Sequence, residues 1–216
     1  MENVWSRPRK APRQTLTLER IVAEAVALLD EEGADRLTMR RLAERLDTGS
    51  TTLYWHVKTK DDVLDLALDA VFGEVRLPDP AAGWQAAVRE LIGGWRAALL
   101  RHPWSATILD RPLMGPNALE RTEFLYRTLT GAGFAAPQAA AYSLSNYVMG
   151  SVIMQVTWQD QDGEDTGAFL RERARRYPAL AEHGLDHAWD ATFDEGLGYL
   201  LAGMEQARKT GTGRLQ

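Results

Sequence analysis

The chain has 216 residues, 45% of them apolar and 25% charged, with a net charge of −5; this balance can bury a sizeable core and is not that of a disordered polymer. It contains no cysteine, which excludes a disulfide framework, a thiolate metal site and a cysteine nucleophile. Every apolar run falls short of the roughly 20 residues a membrane span requires, and the basic N-terminus "MENVWSRPRKAPRQT" lacks the apolar stretch of a signal peptide, so a soluble cytoplasmic protein is expected.

Charge is unevenly spread. Residues 1–60 hold eleven Lys or Arg and nine Asp or Glu, a balance of +2, so with a total of −5 the remainder carries −7. Residues 1–16 read as a basic arm, with Arg7, Arg9, Lys10 and Arg13. Such an arm either enters a minor groove of DNA or serves as a solubilising tail. Strand-like alternation is nearly absent and helical periodicity runs throughout, so the class is all-α, with about nine to ten helices. The first proline after Pro12 is Pro78, and "RLPDP" at 76–80 predicts a boundary between one module at 17–76 and another at 77–209.

The first helix is expected over about 17–32, with Ile21, Ala25, Leu28 and Leu29 as its inner stripe and Gly33 as its stop. Thr38 is a natural N-cap for the next, "MRRLAERL", whose inner residues are Met39, Leu42, Ala43 and Leu46. Arg41 stands where a capping-box Glu would. After the turn "DTG" a second short helix begins near Ser50, and a fourth helix opens at about Lys60 with Leu64, Ala67, Leu68 and Val71 on one face. Two short helices joined by a tight turn and flanked by longer ones form a helix-turn-helix.

Within it, "TGSTTLYWHVKTK" at 48–60 combines hydroxyls with an aromatic run. Leu53 and Val57 point inward on this register, leaving Ser50, Thr51, Thr52, Tyr54, Trp55 and His56 outward. Short hydroxyl side chains let a helix approach base edges and phosphates, and a threonine methyl packs on thymine. Tyr54 and His56 have the length to reach the backbone beside the groove. Thr48, Lys58 and Lys60 add polar and positive groups, with Lys60 at a helix start whose amides suit a phosphate. Thr38 and Arg40 are placed to hold the same strand. Core packing is the competing role for Tyr54 or Trp55 taken singly; the whole constellation is what points to DNA.

"LTMRRLAERLDTGSTTLYWHVKTKDDVLDLALD" resembles the DNA-binding domain of the tetracycline-repressor (TetR) family of regulators, most specifically at "TLYWHVKTKDDVL". The resemblance implies that Thr38, Arg40, Ser50, Thr51, Thr52, Tyr54, Trp55, His56 and Lys60 contact operator DNA or support that contact. Asp47 departs from it, since the family usually has Gly there, and Gly49-Ser50-Thr51 fill the variable reading positions.

Beyond Pro80 the expected helices span about 81–101, 103–110, 116–132, 137–159, 167–176 and 187–208, with an acidic loop at 159–167 and a frayed tail over 210–216. "GWQAAVRELIGGWRAALLRHPW" and "LYRTLTGAGFAAPQAAAYSLSNYVMG" resemble the effector domain of the same branch more loosely. That implies a homodimer built on the last two long helices and a small-molecule effector. Trp95, Trp104, Met114, Phe124, Tyr142, Asn146, Met149, Gln155 and Trp158 mix apolar surface with polar handles, as ligand cavities do, although for each taken singly core packing is the favoured role. The family's tetracycline site uses His and Asn side chains around a drug–magnesium complex; Leu91 falls where that Asn belongs, which speaks against tetracycline. His183 and His187 have metal-ligand spacing, but Gly184 interrupts the helix and no HExxH pattern is present. No metal or cofactor is expected. With no nucleophile–base pair or phosphate-binding Gly loop, an enzyme is not expected either. The reading is a DNA-binding regulator, most simply a ligand-released repressor that binds a palindromic double-stranded operator as a homodimer; a dimeric DNA-binding protein without an effector is the alternative.

Overall fold

The computed structural model describes residues 16–159, 166–184 and 188–212. Residues 1–15 of the basic arm, residues 160–165 of the acidic loop expected at 159–167, residues 185–187 with His187, and the last four residues lie outside them. The described residues form ten α-helices and no strand: α1 (Leu18–Glu32), α2 (Met39–Arg45), α3 (Ser50–Leu53), α4 (Lys60–Gly73), α5 (Trp84–Arg101), α6 (Pro116–Gly131), α7 (Pro137–Gln159), α8 (Thr166–Glu172), α9 (Pro178–His183) and α10 (Trp189–Thr212). None is long and apolar enough to cross a membrane.

Several boundaries differ from expectation for local reasons. Pro80–Ala82 is a separate 3-10 turn before α5, and Pro103–Ile108 is 3-10 rather than α. The helix expected over 167–176 ends at Glu172, and Pro178 opens α9 as its first residue, where its missing N–H costs nothing. Helix α10 reaches Thr212, past the expected end at 208.

The chain divides into two compact units between Ala67 and Leu68, inside α4. In the first unit the predicted inner residues of α1 are all buried, and Leu42, Ala43, Leu46, Leu53, Val57, Val63, Leu64 and Ala67 join them. Thr17 and Thr38 cap α1 and α2 by accepting from the backbone N–H of Arg20 and Arg41. Helix α2 is latched to α1 by ion pairs from Arg41 to Glu32 and from Arg45 to Glu24 and Glu31. These two carboxylates hold the Arg45 guanidinium well above its ordinary pKa, through their hydrogen bonds first.

In the second unit α5, α6 and α7 pack together, with Val88, Leu91, Ile92, Leu99, Leu125, Leu129, Leu144, Val148 and Val152 in the core. Asp69 on α4 caps α6 from a distance, accepting from the backbone N–H of Asn117 and Ala118 at 3.3 and 2.9 Å and from the Asn117 amide at 3.0 Å. A Cβ at residue 115 would sit 2.2 Å from that carboxylate, so Gly115 is what allows the approach. Arg121 answers from α6: buried, it donates to the carbonyls of Gly73, Val75 and Asn117. The end of α4 and the start of α6 are thereby tied at two points.

Candidate nucleic-acid interface

Helix α2 ends in a left-handed turn. The Asp47 N–H donates to the Glu44 carbonyl, the Thr48 N–H reaches back to that of Ala43 at 3.0 Å, and Asp47 itself has φ of +48°. This is the Schellman arrangement, in which a glycine is normally favoured at the left-handed position. The sequence departure at Asp47 thus falls on the one residue of this turn that strains its backbone.

The turn launches α3, a single helical turn that tightens after Leu53. The N–H groups of Trp55 and His56 donate three residues back, to Thr52 and Leu53, and that of Val57 donates to Leu53 at 3.1 Å. Leu53 and Val57 are buried, as their spacing predicts. Anchored by this pair, Thr51, Thr52, Tyr54, Trp55 and His56 are exposed, while Ser50 and Thr48 are half-buried. Trp55 is 79% exposed and Tyr54 44%. Two aromatic rings kept in water beside a well-filled core are not there for packing.

Helix α4 begins with a reciprocal cap that the sequence analysis passed over, although "TKDD" carries its spacing. Thr59 Oγ1 accepts from the Asp62 N–H at 3.0 Å, and the Asp62 carboxylate accepts from the N–H groups of Thr59 and Lys58 and from Thr59 Oγ1. These bonds, the Thr59 hydroxyl's first, pull the Asp62 carboxyl below its ordinary pKa. Lys60 donates its ammonium to the Ala34 carbonyl at 2.8 Å and is half-buried, so it braces the segment before α2. Asp61 and Asp62 place negative charge in the first turn of α4. The site expected there for a phosphate is therefore partly taken by the chain's own carboxylates. Lys58 donates to the Tyr54 carbonyl at 2.7 Å, closing the aromatic turn, and stays exposed.

The arginines of α2 divide in the same way. Arg41 and Arg45 are engaged with α1, whereas the Arg40 side chain is 86% exposed and pairs with Glu44, one turn on. Thr38 is exposed at the head of the same helix. A hydroxyl- and aromatic-rich ridge with an exposed cation beside it can donate to phosphates and base edges.

The nine residues proposed for an effector pocket scatter. Trp95, Trp104 and Gln155 are buried, Phe124 and Met149 half-buried, and Met114, Tyr142, Asn146 and Trp158 exposed. Phe124 lines a cleft of about 450 Å³ that it shares with Pro80, Trp84, Arg127, Thr128 and Gly131. His183 is exposed, and no group of three metal-ligating side chains occurs among the described residues. What the sequence analysis missed is polar and buried: Asp69, Arg96 and Arg121. An arginine at an otherwise apolar helix position was the available signal for the last two.

These observations define a helix-turn-helix protein with a separate helical C-terminal unit. Residues 21–67 match the family model of bacterial regulatory proteins of the tetR family, and 77–208 that of the tetracyclin repressor-like C-terminal domain. A Saccharopolyspora erythraea HTH-type transcriptional regulator is 50% identical over 215 residues, 93% of this chain and 90% of the relative. The HTH-type transcriptional repressor DrrR1 of Streptomyces coeruleorubidus is 32% identical over 228 residues, 95% of this chain and 84% of that one. The structure of the Streptomyces coelicolor TetR family protein ActR in complex with actinorhodin superposes with a TM-score of 0.82 at 32% identity, covering 90% of this chain and 99% of that one. The chain belongs to the TetR family, and it is a DNA-binding transcriptional regulator.

Proposed function

We propose that the chain is a ligand-released repressor that binds a palindromic operator as a homodimer in the cytoplasm, with no catalytic role. The exposed ridge after Gly49 carries this reading. Ser50, Thr51, Thr52, Tyr54, Trp55 and His56 meet the major groove; Thr38, Thr48, Arg40 and Lys58 hold the flanking phosphates, and Lys60 keeps the ridge in place through Ala34. Two copies must present their ridges about 34 Å apart, one turn of DNA.

The outer faces of α7 and α10 support the dimer. Tyr142, Ile153, Met154 and Trp158 on α7 and Tyr199 on α10 are exposed, and the α10 residues beside Tyr199 include Ala202 and Gly203, also exposed. Small residues let helices approach closely. The modules proposed are 17–76 for DNA and 77–209 for ligand and partner, and α4 runs through the division between the two compact units; a ligand acts by favouring a dimer whose ridges no longer fit the operator, which needs tighter binding to the released form. DrrR1 is named a repressor and ActR is seen with actinorhodin, which supports repression and a ligand-responsive second unit here.

The test is a mobility shift on a palindrome from the DNA flanking the gene. Tyr54→Ala and His56→Ala should each weaken binding by about 10- to 100-fold, the value of a good base or phosphate contact, with the dimer intact by sedimentation. An unchanged shift, or a shift lost only because the dimer is lost, refutes the role given to the ridge.

A further inference from the structure

The second half of α6 carries Phe124, Arg127, Thr128 and Gly131, spaced i, i+3, i+4 and i+7, so they share one stripe of the helix. That stripe lines the cleft of about 450 Å³, a size within the roughly 300–1,000 Å³ of small-molecule sites. Pro80 and Trp84 line it from the other side of the chain, and both are held in place. Pro80 opens a 3-10 turn that Asp79 caps by accepting from the Ala81 N–H at 2.9 Å. Gly83, with φ of +83°, then turns the chain into α5, whose first residue is Trp84. The Trp84 ring meets Phe134 edge-on at 5.0 Å between ring centres, which fixes its plane. Trp84 and Phe124 are each half-buried.

The polar groups of this cleft are unequal. The Thr128 hydroxyl donates to the Phe124 carbonyl at 2.8 Å, so its proton is already committed. The Arg127 side chain makes no hydrogen bond or ion pair among the described residues, Glu123 one turn earlier included. Arg121 on the same helix is the contrast, buried and bonded to three carbonyls. Gly131 adds open space, because a Cβ there would meet nothing within 4 Å. The cleft thus combines two aromatic side chains, room beside a glycine and one uncommitted cation.

We infer that this cleft binds a planar aromatic carboxylate, its ring against Trp84 and Phe124 and its carboxylate on Arg127. The inference rests on the reading that the second unit takes a small ligand, and it names the place and chemistry of that ligand. A guanidinium presents parallel N–H groups that match a planar carboxylate. The aromatic side chains take the ring of the acid by offset stacking or edge contacts. A neutral aromatic would leave Arg127 without a counter-ion, and a phosphate ester would bring more charge than one cation offsets.

The test is calorimetric titration of the full chain with 2-naphthoate and with its neutral isostere 2-naphthamide. The wild type should bind naphthoate about 10-fold more tightly than naphthamide, the worth of a charge-assisted hydrogen bond. Arg127→Gln, at an exposed position, should bring the two affinities together by weakening naphthoate alone. Gly131→Leu should abolish binding of both compounds, because a side chain at 131 enters the cleft. It replaces a glycine that ends a helix and whose Cβ is unopposed, so its melting midpoint should stay at or above that of the wild type. If the midpoint falls, Arg127→Gln decides alone. Four results overturn the inference: no naphthoate binding by the wild type, equal binding of the two compounds, a preference that survives Arg127→Gln, or binding that survives in a stably folded Gly131→Leu protein. Each leaves the ligand-gated repressor standing, since gating is read separately, by whether any small molecule releases operator DNA.

Discussion

Two faces of the molecule keep large aromatic side chains in water, and their neighbours are different. In the first unit Trp55 and Tyr54 stand among Thr51, Thr52, His56 and Lys58, all polar and all exposed. In the second, Tyr142 is 70% and Tyr199 69% exposed, on two helices that also expose Ile153, Met154, Ala202 and Gly203; among the described residues the one polar contact of these rings is the Tyr199 hydroxyl, which donates to Glu195 one turn back. An exposed ring does not identify its partner. A ring set among donors and cations suits a polyanion, whose phosphates and base edges take hydrogen bonds; a ring set among methyl groups and glycines suits another helix, which takes shape.

That contrast can be broken directly. Ile153→Glu puts a charge into the apolar outer face of α7 and leaves the ridge after Gly49 untouched. Buried unpaired, that carboxylate would cost several kcal/mol at a close-packed interface. Sedimentation should show a monomer, and operator binding should fall with it because two half-sites are no longer read together. Trp55→Ala should do the reverse, weakening DNA binding in an intact dimer. If Ile153→Glu stays dimeric, the outer face of α7 is not the interface and the contrast between the two faces fails.

The second unit sharpens the comparison through its arginines. Arg41 and Arg45 in the first unit lie at the surface, where ion pairs contribute up to about 1 kcal/mol each. Arg121 is buried and bonded to three backbone carbonyls. Arg121→Met fills much of the same volume but strands the Gly73 and Val75 carbonyls at the end of α4. Loss of these charge-assisted bonds predicts destabilisation by about 3 kcal/mol in urea unfolding. Arg41→Met should change stability by well under half of that. Equal effects would mean that the burial of Arg121 carries no energetic weight.

The same distinction explains what was legible in the sequence. Helices α1, α2 and α4 follow from apolar spacing, and the outward set after Gly49 follows once Leu53 and Val57 are placed inside; exposure is local, and periodicity reports it. Arg40 is separable from Arg41 and Arg45 by its place at the start of α2, and the family resemblance singles out the same residue. The spacing does not show that Glu24, Glu31 and Glu32, up to 21 residues away, engage the other two. The sequence marks Lys60 as a cation for a phosphate and does not show that its ammonium donates to a carbonyl 26 residues back. The pocket candidates differ in burial for the same reason. A cavity is defined by which helices meet, and no single stretch of α5 or α7 carries that information.

The smallest expected effect tests the one strained residue beneath the ridge. Asp47 holds φ of +48° at the end of α2, a conformation that opposes any Cβ, although Asp tolerates it better than most. Asp47→Gly removes that strain, and the added freedom of glycine in the unfolded chain offsets part of the gain. The expected outcome is stabilisation of up to about 1 kcal/mol, read as a higher urea midpoint at unchanged slope. Operator affinity should not fall, because the Thr48 N–H to Ala43 carbonyl bond that sets the entry of α3 belongs to the backbone and survives the change. A destabilised Asp47→Gly protein would mean that the Asp47 side chain holds the turn by more than its backbone, and that the reading ridge depends on a side-chain contact at its base.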